Sequence, residues 1–584
     1  MPTKIQRRPV DLSTGRFASD TPKILQRVLL GRGVTSEADL DHRLAKLHAP
    51  QAMRGMERAV QLLVEAVRAQ QKILIVGDFD ADGATSSTLA VLALGAMGAP
   101  AVEFLVPNRF DFGYGLTPEI VEVAKESAPD VLITVDNGIS SIDGVAAARA
   151  AGMTVIVTDH HLPGAQLPEA DAIVNPNQPD CDFPSKNLAG VGVIFYLLSR
   201  LRSALQDSGW FTESAFGSLG LRAPNMAEYL DLVALGTVAD LVPLDHNNRI
   251  LVHQGIARIR AGRCRPGISA LMEVAGRDRR KLSTTDIGFI LGPRINAAGR
   301  LDDIGTGIRC LLTRDPTEAR ELAAELDALN RDRKAIEQGM QREAMAALDK
   351  LQLDGEIPWS LCLYDEGWHQ GVVGILASRI KEKFHRPVIA FAEGDSTSTS
   401  GLIKGSARSI PGLHIRDALS DVAAAHPELI AKFGGHAMAA GLSLQREHFP
   451  AFTAAFEAAV RNRLQESQLQ AVIESDGELE AAEFTMHTAA TLRACAPWGQ
   501  AFPEPQFDGE FLLLQQRIVG ERHLKMVVAP LDNPQLALDA IAFNVDTDQW
   551  PQAVERVQLA YKLDINEFRG RESLQLLVSY LEAV

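Results

Sequence analysis

Gly77-Asp78-Phe79-Asp80-Ala81-Asp82-Gly83-Ala84-Thr85-Ser86 places three carboxylates on alternate residues. They stand between an apolar run, Lys72-Ile73-Leu74-Ile75-Val76, and a segment with helical character from Ser86 to Met97. Crowded carboxylates repel one another unless a cation sits among them. A hard divalent metal resolves that repulsion, and metals held by carboxylates commonly serve phosphate chemistry. Asp78, Asp80, Asp82 and Gly83 also match the start of a calcium loop. The twelfth position of such a loop is Leu89, which cannot ligate, and the segment before the acids reads as a strand rather than a helix. A solvated acidic turn is the plain alternative, and it holds only if nothing else joins the three acids.

Other segments do join them. Val131-Leu132-Ile133-Thr134-Val135 is a second apolar run and ends in Asp136-Asn137-Gly138. Thr154-Val155-Ile156-Val157-Thr158 is a third and ends in Asp159-His160-His161. Continuous runs rich in β-branched residues read as strands buried on both faces. Helical patterns lie between them, Pro118 to Lys125 and Ile142 to Ala151. Strand alternating with helix implies a parallel sheet with right-handed crossovers. Such sheets bind ligands beyond the C-terminal ends of their strands. Asp78, Asp80, Asp82, Asp136, Asp159, His160 and His161 are therefore expected to meet at one edge. Tyr229 to Val238 is apolar and helical in pattern, and Ala239-Asp240-Leu241-Val242-Pro243 follows it. Asp240 alone reads as a solvated helix end; beside the other segments it becomes a candidate ligand.

In chain order, Asp78-Phe79-Asp80-Ala81-Asp82, Val135-Asp136-Asn137, Asp159-His160-His161 and Gly236-Thr237-Val238-Ala239-Asp240 resemble motifs one to four of the DHH phosphoesterase superfamily. Within it, essentially the whole chain is similar to the RecJ family of bacterial single-strand-specific exonucleases. The resemblance implies an α/β fold and two divalent ions, Mn2+ or Mg2+, bridged by Asp136. Asp80 would bind one ion, and Asp82, His160 and Asp240 the other. Related pyrophosphatases and phosphodiesterases begin motif one with a histidine where this chain has Val76, which makes Asp78 the natural substitute ligand. Oxygen-rich ligands favour Mn2+ or Mg2+ over zinc. By the same resemblance Asp159 orients a histidine and His161 contacts the scissile phosphate. The implied reaction is 5′→3′ hydrolysis of single-stranded DNA to 5′-mononucleotides, with the 3′ oxygen leaving, in recombination and repair.

The downstream half carries the candidates for substrate binding. Gly292-Pro293-Arg294-Ile295-Asn296-Ala297-Ala298-Gly299-Arg300 resembles a segment typical of that family, with Arg294, Asn296 and Arg300 as its polar contacts. Gly401 to Ser409, with Ser406 and Arg408, and Gly434-Gly435-His436-Ala437-Met438 resemble the substrate-binding DHHA1 domain. Glycines admit backbone N–H groups to an anion, and a guanidinium clasps phosphate bidentately. A lone glycine pair with histidine otherwise reads as a tight turn. Resemblance makes Arg109, Ser406 and Arg408 the candidates to hold a 5′-terminal phosphate. Two basic clusters, Arg258, Arg260, Arg263, Arg265 and Arg277, Arg279, Arg280, Lys281, could steer a strand or simply be solvated surface.

The chain has 584 residues, 46% of them hydrophobic, and a net charge of −16. The length suits roughly three or four domains. The acidity argues against a general nucleic-acid coating protein, whose footprint is basic. No apolar run reaches the roughly 18 residues of a membrane span. Lys4, Arg7 and Arg8 have no apolar segment behind them, so no secretory signal is expected. Five scattered cysteines (Cys181, Cys264, Cys310, Cys362, Cys495) suit a reducing, cytoplasmic compartment with no disulfide framework.

The chain reads as an N-terminal extension over 1–55, a metal-binding α/β domain over 56–310, and a connecting helix over 311–352. A smaller α/β domain follows over 353–462, and a β-rich region over 463–584. The helix is announced by Asp315-Pro316-Thr317-Glu318, a variant capping box, and by Leu322, Leu326, Leu329, Ile336 and Met340 at helical spacing. Asp395 to Ser400 reads as a polar loop. Phe507–Val519, His523–Ala529, Leu536–Asn544, Val557–Ile565 and Ser573–Leu581 are strand-like and fit a small barrel. By resemblance this is an OB-fold, which commonly binds single strands. The resemblance also implies a monomer acting beside a single-strand-binding protein and a helicase. The enzymatic alternative is a DHH phosphodiesterase acting on short oligonucleotides or cyclic dinucleotides; it would lack the Pro293–Arg300 segment and the barrel. A non-catalytic scaffold would have lost metal ligands, and here the set is intact apart from the motif-one histidine.

Overall fold

Lys72–Gly77 (β1), Ala101–Leu105 (β2), Val131–Val135 (β3), Thr154–Thr158 (β4) and Ala172–Val174 (β5) form a five-stranded parallel sheet in the order β2-β1-β3-β4-β5. The computed structural model describes residues 3–107, 115–211, 221–352, 357–394, 401–520, 522–545, 550, 553–568 and 570–584. Every residue of β3 is buried, as its apolar run requires of a central strand covered on both faces. The two strands that the sequence reading lacks, β2 and β5, are the sheet edges. β2 is half-exposed and β5 has three residues, so neither carries a long buried run.

Helices Ala81–Ala96 (α1), Pro118–Glu126 (α2) and Ile142–Ala150 (α3) connect the strands, and Gly190–Asp207 (α4) and Leu230–Ala239 (α5) follow. α1 begins well before Ser86, the expected start. Asp80 caps it, its Oδ1 accepting from Asp82 N (2.8 Å) and Gly83 N (3.0 Å). The acidic motif is therefore the first turn of a helix, where the N-terminal dipole favours carboxylates. Gly292–Leu301 (α6) and Pro316–Gln352 (α7) come later. In α7 the cap is Asp315, which accepts from Thr317 N at 2.8 Å. Glu318 does not close the box, bonding the Thr313 hydroxyl instead.

The chain divides into two compact units. One comprises Ile5–Asn296, Ile304–Glu325 and Ile473–Val584; the other comprises Met1–Lys4, Ala297–Asp303 and Leu326–Val472. The first holds the parallel sheet and the barrel. The second holds Leu361–Tyr364 (β6), helix Val373–Phe384 (α8), Val388–Glu393 (β7), Leu402–Arg408 (β8), Lys432–Gly435 (β9) and Ala439–Gln445 (β10). Its sheet runs β9-β10-β8-β7-β6, with only β6 and β7 parallel. Phe391, Phe452 and Phe456 anchor its core.

Phe507–Val519 (β11), His523–Pro530 (β12), Leu538–Ala542 (β13), Arg556–Phe568 (β14) and Arg571–Ala583 (β15) close into the expected barrel, in the order β11-β12-β13-β15-β14. Closure removes the unpaired edges that a five-stranded sheet would expose. A buried ion cluster secures the chain just before the barrel. Asp476 accepts from Arg32 Nη1 (2.8 Å) and Nη2 (2.9 Å) and from Arg8 Nη1 (3.1 Å), with the Arg32 and Asp476 side chains each 1% exposed. Among the described residues, no helix is long and apolar enough to cross a membrane.

Candidate active site

The strand order places a topological switch between β1 and β3, and the crevice beyond their C-terminal ends is where such sheets bind ligands. Asp78, Asp80 and Asp82 follow β1, Asp136 follows β3, and Asp159, His160 and His161 follow β4. Asp240 caps the C-terminus of α5. The fold brings all eight together. His160 Nε2 lies 3.1 Å from Asp136 Oδ1 and 3.5 Å from Asp240 Oδ2. Potential ligand atoms converge in three groups, Asp78–Asp80–Asp136, Asp82–His160–Asp240 and Asp136–His160–His161, each within 4.8 Å.

Local backbone features hold these side chains. Asp82 accepts from Gly190 N (2.6 Å) and Val191 N (2.9 Å) at the start of α4. Asp136 adopts a φ of +62°, a left-handed conformation that turns its carboxylate off the strand end. Gly190 must be glycine here, because a Cβ would stand 2.6 Å from Asp136 Cβ. Gly236 is equally constrained, since a Cβ would stand 2.3 Å from Thr85 Oγ1 and 2.8 Å from Asp82 Oδ1. Asp159 is spent on its neighbours. It accepts from His160 N (2.7 Å), His161 N (3.1 Å) and Ile139 N (2.9 Å), and His161 Nδ1 lies 2.7 Å from its Oδ1.

Two residues absent from the sequence reading complete the frame. Asn175 Nδ2 donates to His161 O (2.9 Å), and Asn177 Nδ2 donates to His160 O (2.6 Å). Their signal was Val174-Asn175-Pro176-Asn177 at the end of β5, a strand too short to announce itself.

The electrostatics call for a cation. Burial, reinforced by Asp80, pushes Asp82 up to about 7. Burial and the neighbouring Asp82 and Asp80 raise Asp136 and Asp240 well above the usual carboxylate range. Asp159 goes the other way. Burial opposes its ionisation, but His161 and the amides hold it below its ordinary value. Burial likewise opposes charge on His161, and the bond to Asp159 outweighs it, raising the imidazole to about 9. Buried carboxylates that repel one another in the absence of a cation, joined by an imidazole, form a donor set suited to hard divalent ions.

The remaining candidates have mixed fates. Asn296 Oδ1 accepts from Ala81 N at 2.7 Å, so it braces the first turn of α1. Arg294 donates to Ile290 O at 2.7 Å. Arg300 donates to Gly371 O at 3.1 Å, within the second unit. In that unit, partly buried Arg408 donates to Ser406 Oγ (3.0 Å) and Ala407 O (2.8 Å). Gly374, near the start of α8, leaves space beside them; a Cβ there would stand 2.9 Å from Arg408 Nη2 and from Ser406 Oγ. Gly435 has a φ of +147° and its Cβ position meets Ala440 Cα at 2.4 Å, so the β9–β10 turn itself needs glycine. Gly434 and His436 are exposed. Arg109 and Asp395–Ser400 lie outside the described residues. Several basic residues are engaged with acids: Arg265 with Asp231, Arg280 with Asp278, and Lys281 with Glu567 and Glu572.

Three family models match the chain: the DHH family, N-terminal domain over residues 72–237, the DHHA1 domain over 359–462 and the RecJ OB domain over 475–580. The chain is 56% identical over 578 residues to the single-stranded-DNA-specific exonuclease RecJ of Escherichia coli (strain K12), with 98% of each chain covered. It resembles the crystal structure of RecJ from Thermus thermophilus in complex with Mn2+, at 31% identity and a TM-score of 0.81, covering 100% of this chain and 79% of that one. The Mg2+ complex from the same organism gives 29% identity and a TM-score of 0.74, covering 100% and 78%.

Proposed function

The chain belongs to the RecJ family of single-stranded-DNA-specific exonucleases, and from that premise we propose how its residues divide the work. It is a hydrolase of single-stranded DNA that uses Mn2+ or Mg2+. The observation that carries the assignment is the convergence of four carboxylate segments at one switch-point crevice. Two ions would be held there. Asp78, Asp80 and Asp136 would hold one ion, and Asp82, His160 and Asp240 the other. When bound, such ions polarise the scissile phosphate and activate water. Asp159 fixes the orientation of His161, whose imidazolium would contact the phosphate. The amides of Gly190 and Val191 keep Asp82 aimed into the crevice.

Digestion proceeds from the 5′ end and releases 5′-mononucleotides. Ser406 and Arg408 would hold the terminal phosphate. In support, Arg408 is partly buried, with Ser406 as its side-chain partner and glycine-made space beside it. Arg294, Arg300, Gly434, Gly435 and His436 would support the strand, while Asn296 braces the first turn of α1. The domains divide at 55, 310, 352 and 462. The enzyme would act as a cytoplasmic monomer in recombination and repair, beside a single-strand-binding protein and a helicase. Five unpaired cysteines suit that compartment.

The test of polarity is digestion of one strand labelled in turn at each end, in Mn2+. Immediate release of 5′-labelled mononucleotide, with a 3′-labelled ladder shortening from full length, is expected. Immediate release of the 3′ label would overturn the polarity. Arg408→Ala is expected to lower the preference for a 5′-phosphate over a 5′-hydroxyl while the Mn2+ midpoint stays in place. Equal loss on both ends would remove Arg408 from that role.

A further inference from the structure

Among the described residues, the most exposed large apolar side chains, apart from the final residue, are Leu162 (61%), Leu241 (63%) and Phe289 (73%). All three border the carboxylate cluster. Leu162 directly follows His161, and Leu241 directly follows Asp240. Phe289 lies on a turn of π-helix, Ile287–Leu291, against the end of α5 that carries Asp240. An added Cβ at Gly288 would stand 3.6 Å from Val238 Cγ1, and one at Gly292 would stand 3.1 Å from Ala239 Cβ. Two backbone irregularities therefore coincide with the exposure. π turns are rare and recur at functional sites. Leu241 has a φ of +60°, a left-handed conformation that bulky residues avoid. A single exposed leucine needs no explanation; three such side chains, two next to candidate ligands in the chain and one on a turn packed against the helix end that carries Asp240, do.

We infer that Leu162, Leu241 and Phe289 form an apolar rim that receives the unpaired bases next to the phosphodiester being cleaved. This rests on the exonuclease reading above. A phosphate chain alone would gain nothing from leucine and phenylalanine. The bases of a single strand offer bare π faces, which a duplex hides by stacking and pairing. Stacking on an aromatic ring is blind to base identity. The rim therefore favours single strands over duplexes without selecting a sequence, while the carboxylate cluster attends to the phosphate.

The test compares two 5′-phosphorylated oligonucleotides of equal length, one normal and one abasic at its first nucleotides. The full-length, Mn2+-loaded protein and its Phe289→Ala variant are assayed on both. Phe289 is exposed, so the variant should melt with the parent. Its KM for the normal strand should rise about 5- to 30-fold, the loss of one stacked base. Its KM for the abasic strand and its Mn2+ midpoint should not move, and Phe289→Trp should restore the parent value. Equal losses on both strands, no loss on either, or a loss that follows a shifted Mn2+ midpoint would each overturn the rim. If the parent protein degrades no single strand at all, the exonuclease reading fails and the rim falls with it.

Discussion

At the scale of single residues, the site turns on charge. Asp136 belongs to two of the three donor groups, so Asp136→Asn should lower kcat by about 10³-fold or more through loss of ion binding. Calorimetric titration with Mn2+ checks the cause, because the heat of binding should shrink with the rate. The raised carboxylates also set a pH dependence. Asp82 is held at about 7 in the ion-free fold, against about 4 in an unfolded chain. Between those values the folded state keeps a proton that the unfolded state has lost. The ion-free protein should therefore lose stability as pH rises from about 4 through about 7. Divalent ions replace that proton, so the Tm increment from Mn2+ should grow between about pH 5.5 and about pH 8. Melts in EDTA and in Mn2+ at both values measure it; an increment independent of pH would contradict this account.

At the scale of elements, the acidic motif works because it is a helix terminus. Asp80 is the cap, Asp82 enters the first turn, and Asn296 braces Ala81 from another segment. Asn296→Ala should weaken this turn by about 1 kcal/mol, the usual cost of losing a cap contact. The expected readout is a severalfold higher Mn2+ midpoint with the DNA KM little changed. A rise in KM alone would return Asn296 to strand binding. This is also where the sequence was least legible. Three acids at alternate positions suggested a loop before a helix, because residue type alone does not reveal that Asp80 binds the amides of Asp82 and Gly83. The buried strands β1, β3 and β4 were plain in their β-branched runs. The edge strands β2 and β5 were not, and with β5 went Asn175 and Asn177, which hold the backbone of the two histidines. The engagement of the basic clusters with acids was not legible either. Arg265 and Lys281 have acidic partners far away in sequence, and Arg280 turns back onto Asp278, pairings that composition cannot display.

At the scale of the molecule, the barrel's attachment is as specific as the site. Arg32 and Asp476 are buried together and bound at two points, with Arg8 beside them. Removing Arg32 leaves Asp476 with Arg8 as its remaining cation, so the loss is a part of the roughly 3–5 kcal/mol that a buried charge left alone costs. Arg32→Met should therefore lower the Tm by several degrees, measured by calorimetry. A change within error would mean that solvent reaches Asp476. The five barrel strands and the first α/β region were legible from runs and turns, and the second from its resemblance to the DHHA1 domain, yet nothing in the sequence linked Arg32 to Asp476. That pairing exists only because the chain folds back across most of its length.

The central claim is that the carboxylates gathered at the switch point hold the divalent ions that make this chain a nuclease. The most direct measurement is the initial rate of nucleotide release from a labelled single strand, titrated with Mn2+, for the parent protein and for Asp136→Asn. The account predicts no release in EDTA, saturable activation of the parent, and about 10³-fold or greater loss in the variant at the same Mn2+. Release by the parent that persists in EDTA, or parental activation of Asp136→Asn, would contradict it.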